Sequence, residues 1–372
     1  MATYAFSHRI PKIDAEFLFK AKIYVNSIIQ LKDGKLLMFC FSCLYTIYIY
    51  NEKTFQKLFE IDLYESISEY EKRRGIDFKD WYNKNKNSIK ELSSGLILIG
   101  RNKYLIELNI KRKEYKLKIV KTLDNIILDI NELSDKRIIV ITDEKILILK
   151  TEDEEYIIKE EYLIKKNWKM KCHSLEDKSY SRFRQYYTSN ELPNNRLLLN
   201  SFSFERQKIK SRCLILPPID LLNSKIILID LNNFEEIKST EIFDSHVNIT
   251  IMENIIIIQS IKRIYIHDIN SFKLIQNDLY SKRYGIIFKF NKEYVISFCD
   301  EDKENKSLIF SKIEDNYLVK YGKIIKDSLK KLNSWDFGET IKYGKYILIL
   351  KNRRIIILND CKIIILQLDK DL

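Results

Sequence analysis

The feature that most constrains this chain is a short strand–turn–strand phrase that returns along its length. It reads QLKDGKLL at 30–37, ELSSGLIL at 91–98, ELSDKRII at 132–139 and ELPNNRLL at 191–198. In each copy an acid or amide precedes a leucine, three turn-forming residues follow, and an apolar run begins. One strand ends there and the next starts after a tight turn. The leucines, Leu31, Leu92, Leu133 and Leu192, stand 61, 41 and 59 residues apart. Self-similarity on this scale marks a chain built from one supersecondary unit. A single such unit cannot cover both of its faces, so its copies must stack on one another.

A second phrase follows at the end of a later strand. IYIYNEKTF at 47–55, IILIDLNNF at 226–234 and IYIHDINSF at 264–272 align without gaps. An apolar strand runs into Asn51, Asp230 or Asp268, whose side chain can bond the backbone two residues on. Thr54, Asn233 or Ser271 and then Phe55, Phe234 or Phe272 lead into the outer strand. This pattern resembles the WD40-like propeller families, whose third strand ends in a Trp-Asp pair before a turn. The Trp is replaced here by Tyr50, Ile229 and His267, and no Gly-His pair precedes any unit. The resemblance therefore implies the blade and its order of strands. It does not bring with it the Asp-His-Ser/Thr-Trp network of those families.

Both phrases together predict an all-β chain, a single β-propeller over 1–372 with about seven four-stranded blades, six or eight being the alternatives. The strand sets fall at about 23–61, 88–121, 126–163, 180–242, 246–277, 283–321 and 335–368. Residues 252–254, 291–293 and 343–345 supply weaker turns in the last three. Near-continuous apolar runs such as 137–141 and 145–149 suit strands held between neighbouring blades. Residues 8–20, with AEFLFK at 15–20, are expected to complete the last blade and close the ring. Three insertions, at about 62–87, 151–190 and 204–224, break the spacing and are expected to be loops or short helices. The first has helical spacing over 63–75 and a Gly75 stop. An irregular pair of β-sandwiches is the competing fold.

Composition narrows the functional classes. With 8 Gly and 4 Pro in 372 residues, Asn, Asp, Ser and Lys must make most turns, and nucleotide-cradling glycine loops have little material. Cys40 and Cys43 have half of a zinc spacing with no second pair to complete it. Cys172-His173 stands alone, and the acidic runs 152–155 and 300–304 lie among polar turn residues. No catalytic, metal or cofactor site is expected, and no small-molecule substrate. The longest apolar runs are far short of the roughly 20 residues a membrane helix needs. Six scattered cysteines suit reduced thiols inside a cell, with the cytoplasm expected ahead of the nucleus.

The formal net charge is +12, from 64 basic and 52 acidic residues interspersed along the chain. The Lys-, Ile-, Asn- and Tyr-rich vocabulary matches an AT-rich coding bias, which raises lysine without a functional cause. The best candidate binding surface combines bases and rings: Arg182, Phe183, Arg184, Tyr186 and Tyr187, with Arg206, Lys208, Lys210 and Arg212 in the third insertion. Such groups neutralise phosphates while rings stack on bases or pack against protein. Residues 165–171 (KNWKMK after Lys165) form a weaker stretch of the same kind. A protein-binding scaffold is the leading expectation, with nucleic acid or a ribonucleoprotein as the alternative partner.

Overall fold

The computed structural model describes residues 15–21, 25–40, 46–63, 65, 67–68, 88–111, 114–153, 155–165, 168, 184–206, 219–242, 248–260, 263–278, 287–300, 306–314, 317–325, 329–330, 346–350, 354–358 and 363–368. They are almost entirely strand. Seven sheets follow one another in chain order; six are four-stranded antiparallel meanders, and the last is a three-strand meander joined by two further strands. This is a β-propeller of seven blades. Blade 1 covers 25–62, blade 2 88–122, blade 3 127–163, blade 4 184–242, blade 5 248–278, blade 6 287–325 and blade 7 346–368. The expected strand sets agree with these limits to within a few residues, with 335–345 of the last set lying outside the described residues.

The chain divides into two compact units. Met1–Asp62 with Asn248–Leu372 forms one, and Leu63–Val247 forms the other. In the first unit Ala15–Ala21 pairs antiparallel with Ile363–Leu368, from Ala15 opposite Leu368 to Ala21 opposite Ile363. The chain's opening strand thus supplies the fourth strand of blade 7, as the apolar stretch at 15–20 required. Leu329–Lys330 adds a fifth, parallel to it.

Each unit is held by facing apolar runs of adjacent blades. Between blades 6 and 7, Ile296, Leu308 and Phe310 pack on Ile355, Ile357 and Leu366. Between blades 7 and 1, Ile356, Ile363 and Ile365 meet Ile28, Leu36 and Met38. In the second unit, Leu98 and Leu105 of blade 2 meet Ile138, Val140 and Leu147 of blade 3. Ile139, Ile141 and Ile148 on the other face of blade 3 meet Leu197, Leu199 and Ile227 of blade 4. Both faces of a strand are covered, so alternation disappears from the sequence and continuous isoleucine runs replace it. Each fully buried isoleucine or leucine contributes about 1.5–3 kcal/mol of transfer free energy.

The two sequence phrases become two turn types. In the first, the amide of Leu31 donates to the Lys35 carbonyl and Gly34 N–H to the Leu31 carbonyl, and the same bonds recur at Leu92/Gly95 and Leu133/Lys136. The third turn position is left-handed: φ is 86° at Gly34 and Gly95 and 73° at Lys136. Glycine enters this region freely, whereas a lysine there is strained by about 1 kcal/mol. In the second phrase, Asn51, Asp230 and Asp268 accept backbone N–H bonds from the residue two positions on. Phe55, Phe234 and Phe272 then adopt φ of 54°, 55° and 52°. A bulge follows in all three blades. Their rings offset the strain by packing: Phe234 stacks on Tyr162 of blade 3 at 4.0 Å, and Phe272 on His267 at 4.8 Å.

Only parts of the three insertions fall among the described residues. Leu63, Glu65, Ile67 and Ser68 are helical, with Leu63 and Ile67 fully buried one turn apart. The rest of 69–87 lies outside the described residues. Within 151–190, Lys145–Glu152 ends, Glu155–Leu163 is the fourth strand of blade 3, and Arg184–Leu192 opens blade 4, while 166–167 and 169–183 lie outside the described residues. Arg196–Arg206 and Ile219–Asp230 run into 204–224, of which 207–218 lies outside the described residues.

Candidate interaction site

Blade 4 departs from the other six in length. Its second and third strands hold 11 and 12 residues. The second strands of blades 1, 2, 3, 5 and 7 hold 5 or 6. The fourth strand of blade 4 pairs only as far as Ser224 opposite Ile242. Beyond that point, among the described residues, three strands continue as an arm made of 184–186, 202–206 and 219–223. At about 3.4 Å per residue its second strand extends about 17 Å past Ser201.

The base of the arm is polar but buried: Asn200, Ser201 and Ser224 are 2%, 0% and 0% exposed. Its register sets Tyr186 opposite Phe202 and Arg184 opposite Phe204, and then Phe204 opposite Leu221 and Arg206 opposite Ile219. Arg184 and Arg206, far apart in sequence, therefore lie at the same end of one sheet. Arg182, Phe183, Lys208, Lys210 and Arg212 lie outside the described residues. Tyr187 requires a correction. It is 1% exposed and packs with Trp168, Leu197 and Leu199 between blades 3 and 4, so its ring is core and cannot meet a partner. Burial pushes its hydroxyl's ionisation well above the ordinary range.

Trp168 is corrected in the same way. It is 1% exposed, its indole N–H donates to Glu236 Oε2 at 2.7 Å, and Lys165 Nζ lies 5.5 Å from its ring. Trp168 is a strut between blades 3 and 4, and 166–167 and 169–171 lie outside the described residues. Burial, the largest influence on Glu236, pushes its carboxyl up. Hydrogen bonds from Ser239 and Trp168 and the charges of Lys225 and Lys165 outweigh burial and hold it below the usual range.

Polar clasps join blades 2 to 4, and the Glu191 clasp lies at the turn end of blade 4, opposite the arm. The Glu132 carboxylate of blade 3 accepts from Ser93 N and Oγ of blade 2 at 2.6 and 2.7 Å. Glu191 of blade 4 repeats this with Ser134 of blade 3, at 2.8 Å for both bonds. A shallow depression of about 380 Å³ at that second clasp is lined by Ser134, Asp135, Glu191 and 192–195. On the first strands, Asp129 accepts from Ser88 Oγ at 3.2 Å and from Ser189 N and Oγ at 2.6 and 2.8 Å. One carboxylate thereby ties three blades. The Glu-Leu-Ser phrase carried these clasps in plain sight, and a search for chemistry alone passed over them.

The outer strands differ in charge. On blade 3, Lys159 pairs with Glu152 at 2.7 Å and Lys145 with Glu161 at 2.8 Å. Lys159 holds the Glu152 carboxyl below its usual range, and Glu161 raises the Lys145 ammonium. On blade 2, Tyr115–Thr122 carries Lys116, Lys118 and Lys121 with no acid. Among the described residues no group of three or more His, Cys, Asp or Glu side chains could hold a metal ion, and no helix is long and apolar enough to cross a membrane.

No protein-family model and no curated protein matches this chain. Solved structures do match, over nearly its whole length. BBS1N in complex with ARL6DN has 8% identity and a TM-score of 0.54, covering 96% of this chain and 98% of that one. The Cps50 (Swd1) β-propeller domain of Myceliophteria thermophila has 10% identity and 0.54, with 95% and 99% covered. Virginiamycin B lyase from Staphylococcus aureus has 14% identity and 0.51, again with 95% and 99%. The fold is that of a WD40-like β-propeller. At these identities the likeness concerns fold alone, and the three proteins include both a member of a protein complex and an enzyme, so function must be argued from the site.

Proposed function

We propose that this chain is a non-enzymatic scaffold that holds protein partners, with the blade 4 arm as its principal contact. The observation that carries the proposal is the paired 11- and 12-residue strands, which no other blade matches. A sheet carried beyond the fourth strand of its own blade gains no further cover from that strand, so its length calls for a use outside the blade. The clasped blades 2 to 4 supply a rigid base for it, and rigidity lowers the entropic cost of binding. One structural neighbour, BBS1N, is in complex with ARL6DN, which supports the class and not a partner. The reading places the protein in the cell interior, where its cysteines stay reduced.

The test replaces 203–223 with an Asn-Gly turn joining Phe202 to Ser224, and compares partners recovered from native cells by mass spectrometry. Partners recovered with the intact chain should be lost while the melting temperature of the remaining blades is kept. An unchanged partner set would remove the arm from the account.

Nucleic acid is the second reading, favoured by the register that brings Arg184 and Arg206 to one end of the arm. It predicts affinity that falls steeply with salt and drops when both arginines become glutamine. Binding to neither RNA nor DNA at low salt would discard it.

A further inference from the structure

The outer strand of blade 2 is a strand edge of unusual charge. Blades 1, 3 and 4 end in KLFEID, EYIIKEEYL and EIKSTEI, which mix signs, and blade 5 ends in LIQND; blade 6 ends in YLVKYGKII, with two lysines and no acid, and blade 2 in YKLKIVKT, with three lysines and no acid. Lys116 and Lys118 are exposed, as is Tyr115 at 42%, and neither lysine pairs with a described acid. They stand two residues apart and so share a face of the sheet. The strand pairs with Tyr104–Ile110 on one side, and in an antiparallel ladder every second residue turns its N–H and C=O away from that partner. Among the described residues no strand pairs with the far side of this edge, which offers main-chain groups in a row beside the two cations.

The molecule shows how such an edge is extended. Leu329–Lys330 pairs in parallel with Ala15–Ala21, a fifth strand on the outer side of blade 7. Lysines on an edge keep neutral or basic strands from adding there. The same charges favour an acidic strand, so they select an occupant as well as guard the edge. We propose that the outer edge of blade 2 takes up an extended acidic segment of a partner protein as a fifth strand, with acids at alternate positions meeting Lys116 and Lys118. Main-chain bonds give such an addition its strength and the lysines its choice. This deepens the scaffold reading and rests on it, while using a different edge from the arm.

The probe is a fluorescein-labelled octapeptide alternating Glu and Val, titrated against the full chain by anisotropy. Charge reversal in the double variant K116E/K118E should weaken binding by about tenfold or more, and a thermal melt shows that these exposed substitutions leave the fold intact. Methylating alternate peptide nitrogens should abolish binding in one of the two alternating sets and spare it in the other, a readout that needs no change in the protein. Overturning results are no binding by the unaltered chain, equal binding by K116E/K118E, or equal binding by both methylated peptides. Single-stranded DNA of equal charge binding as tightly as the peptide would assign the lysines to polyanions and also overturn it. Native partners recovered equally by unaltered and K116E/K118E chains would leave the scaffold standing and strike this edge from it.

Discussion

Blades 2 to 4 and blades 5 and 6 are joined by different chemistry. In the first set, carboxylates reach serines of the next blade: Glu132 to Ser93, Glu191 to Ser134, and Asp129 to both Ser88 and Ser189. In the second, side chains reach main chain. Thr250 Oγ1 and Asn248 Nδ2 donate to the Ile287 carbonyl, and Gln259 Oε1 accepts from Ile287 N–H. A side-chain clasp requires a particular residue at both ends and so writes a repeated phrase into the sequence. A bond to main chain requires one at a single end, because every residue offers a carbonyl. Ile287 consequently carries no signature, and the turn phrase fades after blade 4.

This contrast can be broken or sharpened by substitution. The Phe turn is common to both regions, so Phe234→Ala and Phe272→Ala should each cost about 3–4 kcal/mol in urea denaturation, through loss of a buried ring. A much smaller loss at one of them would show that the turn is not a shared device. Asp129→Ala should cost about 2–3 kcal/mol, since it strands three donors at once, against about 1–2 kcal/mol for Gln259→Ala. Equal losses would erase the distinction between the two regions.

The Trp168–Glu236 bond sets a weaker, pH-dependent difference. The Glu236 carboxyl is depressed in the folded chain, so its contribution is present above the unfolded value of about 4.3 and lost as pH falls through the folded value. Acid titration should therefore shift Trp168 fluorescence in that window, and Glu236→Gln should flatten the response. A titration that ends above pH 5 would contradict this assignment. The smallest change expected is a gain. Lys136 occupies the left-handed position that Gly34 and Gly95 fill, and Lys136→Gly should stabilise by roughly 0.5–1 kcal/mol in the same denaturation assay.

Most of the fold was legible because burial on both faces of a blade leaves isoleucine runs that only stacking can shelter. The closing strand was legible for the same reason, as 15–20 had no other cover. The site was less so. Tyr187 and Trp168 look like stacking platforms in sequence, since a ring beside basic residues reads alike whether it faces solvent or a neighbouring blade. Which case holds depends on sheet packing that no local pattern records. The arm was hidden because Ser201, Ser203 and Glu205 interrupt its apolar residues, although alternation of that kind is what a strand with two unlike faces produces. The basic edge of blade 2 was lost in a lysine-rich composition and stands out once the paired acids of blade 3 are beside it.

The account depends above all on blades finding shelter against one another, with Ala15–Ala21 completing blade 7. Hydrogen exchange measured by mass spectrometry on the intact chain and on a chain lacking residues 1–21 tests this directly. The amides of 363–368 should be strongly protected in the intact chain and exchange faster by orders of magnitude without the strand, while 138–142 keep their protection. Equal protection of 363–368 in both chains would contradict the pairing and the propeller built on it.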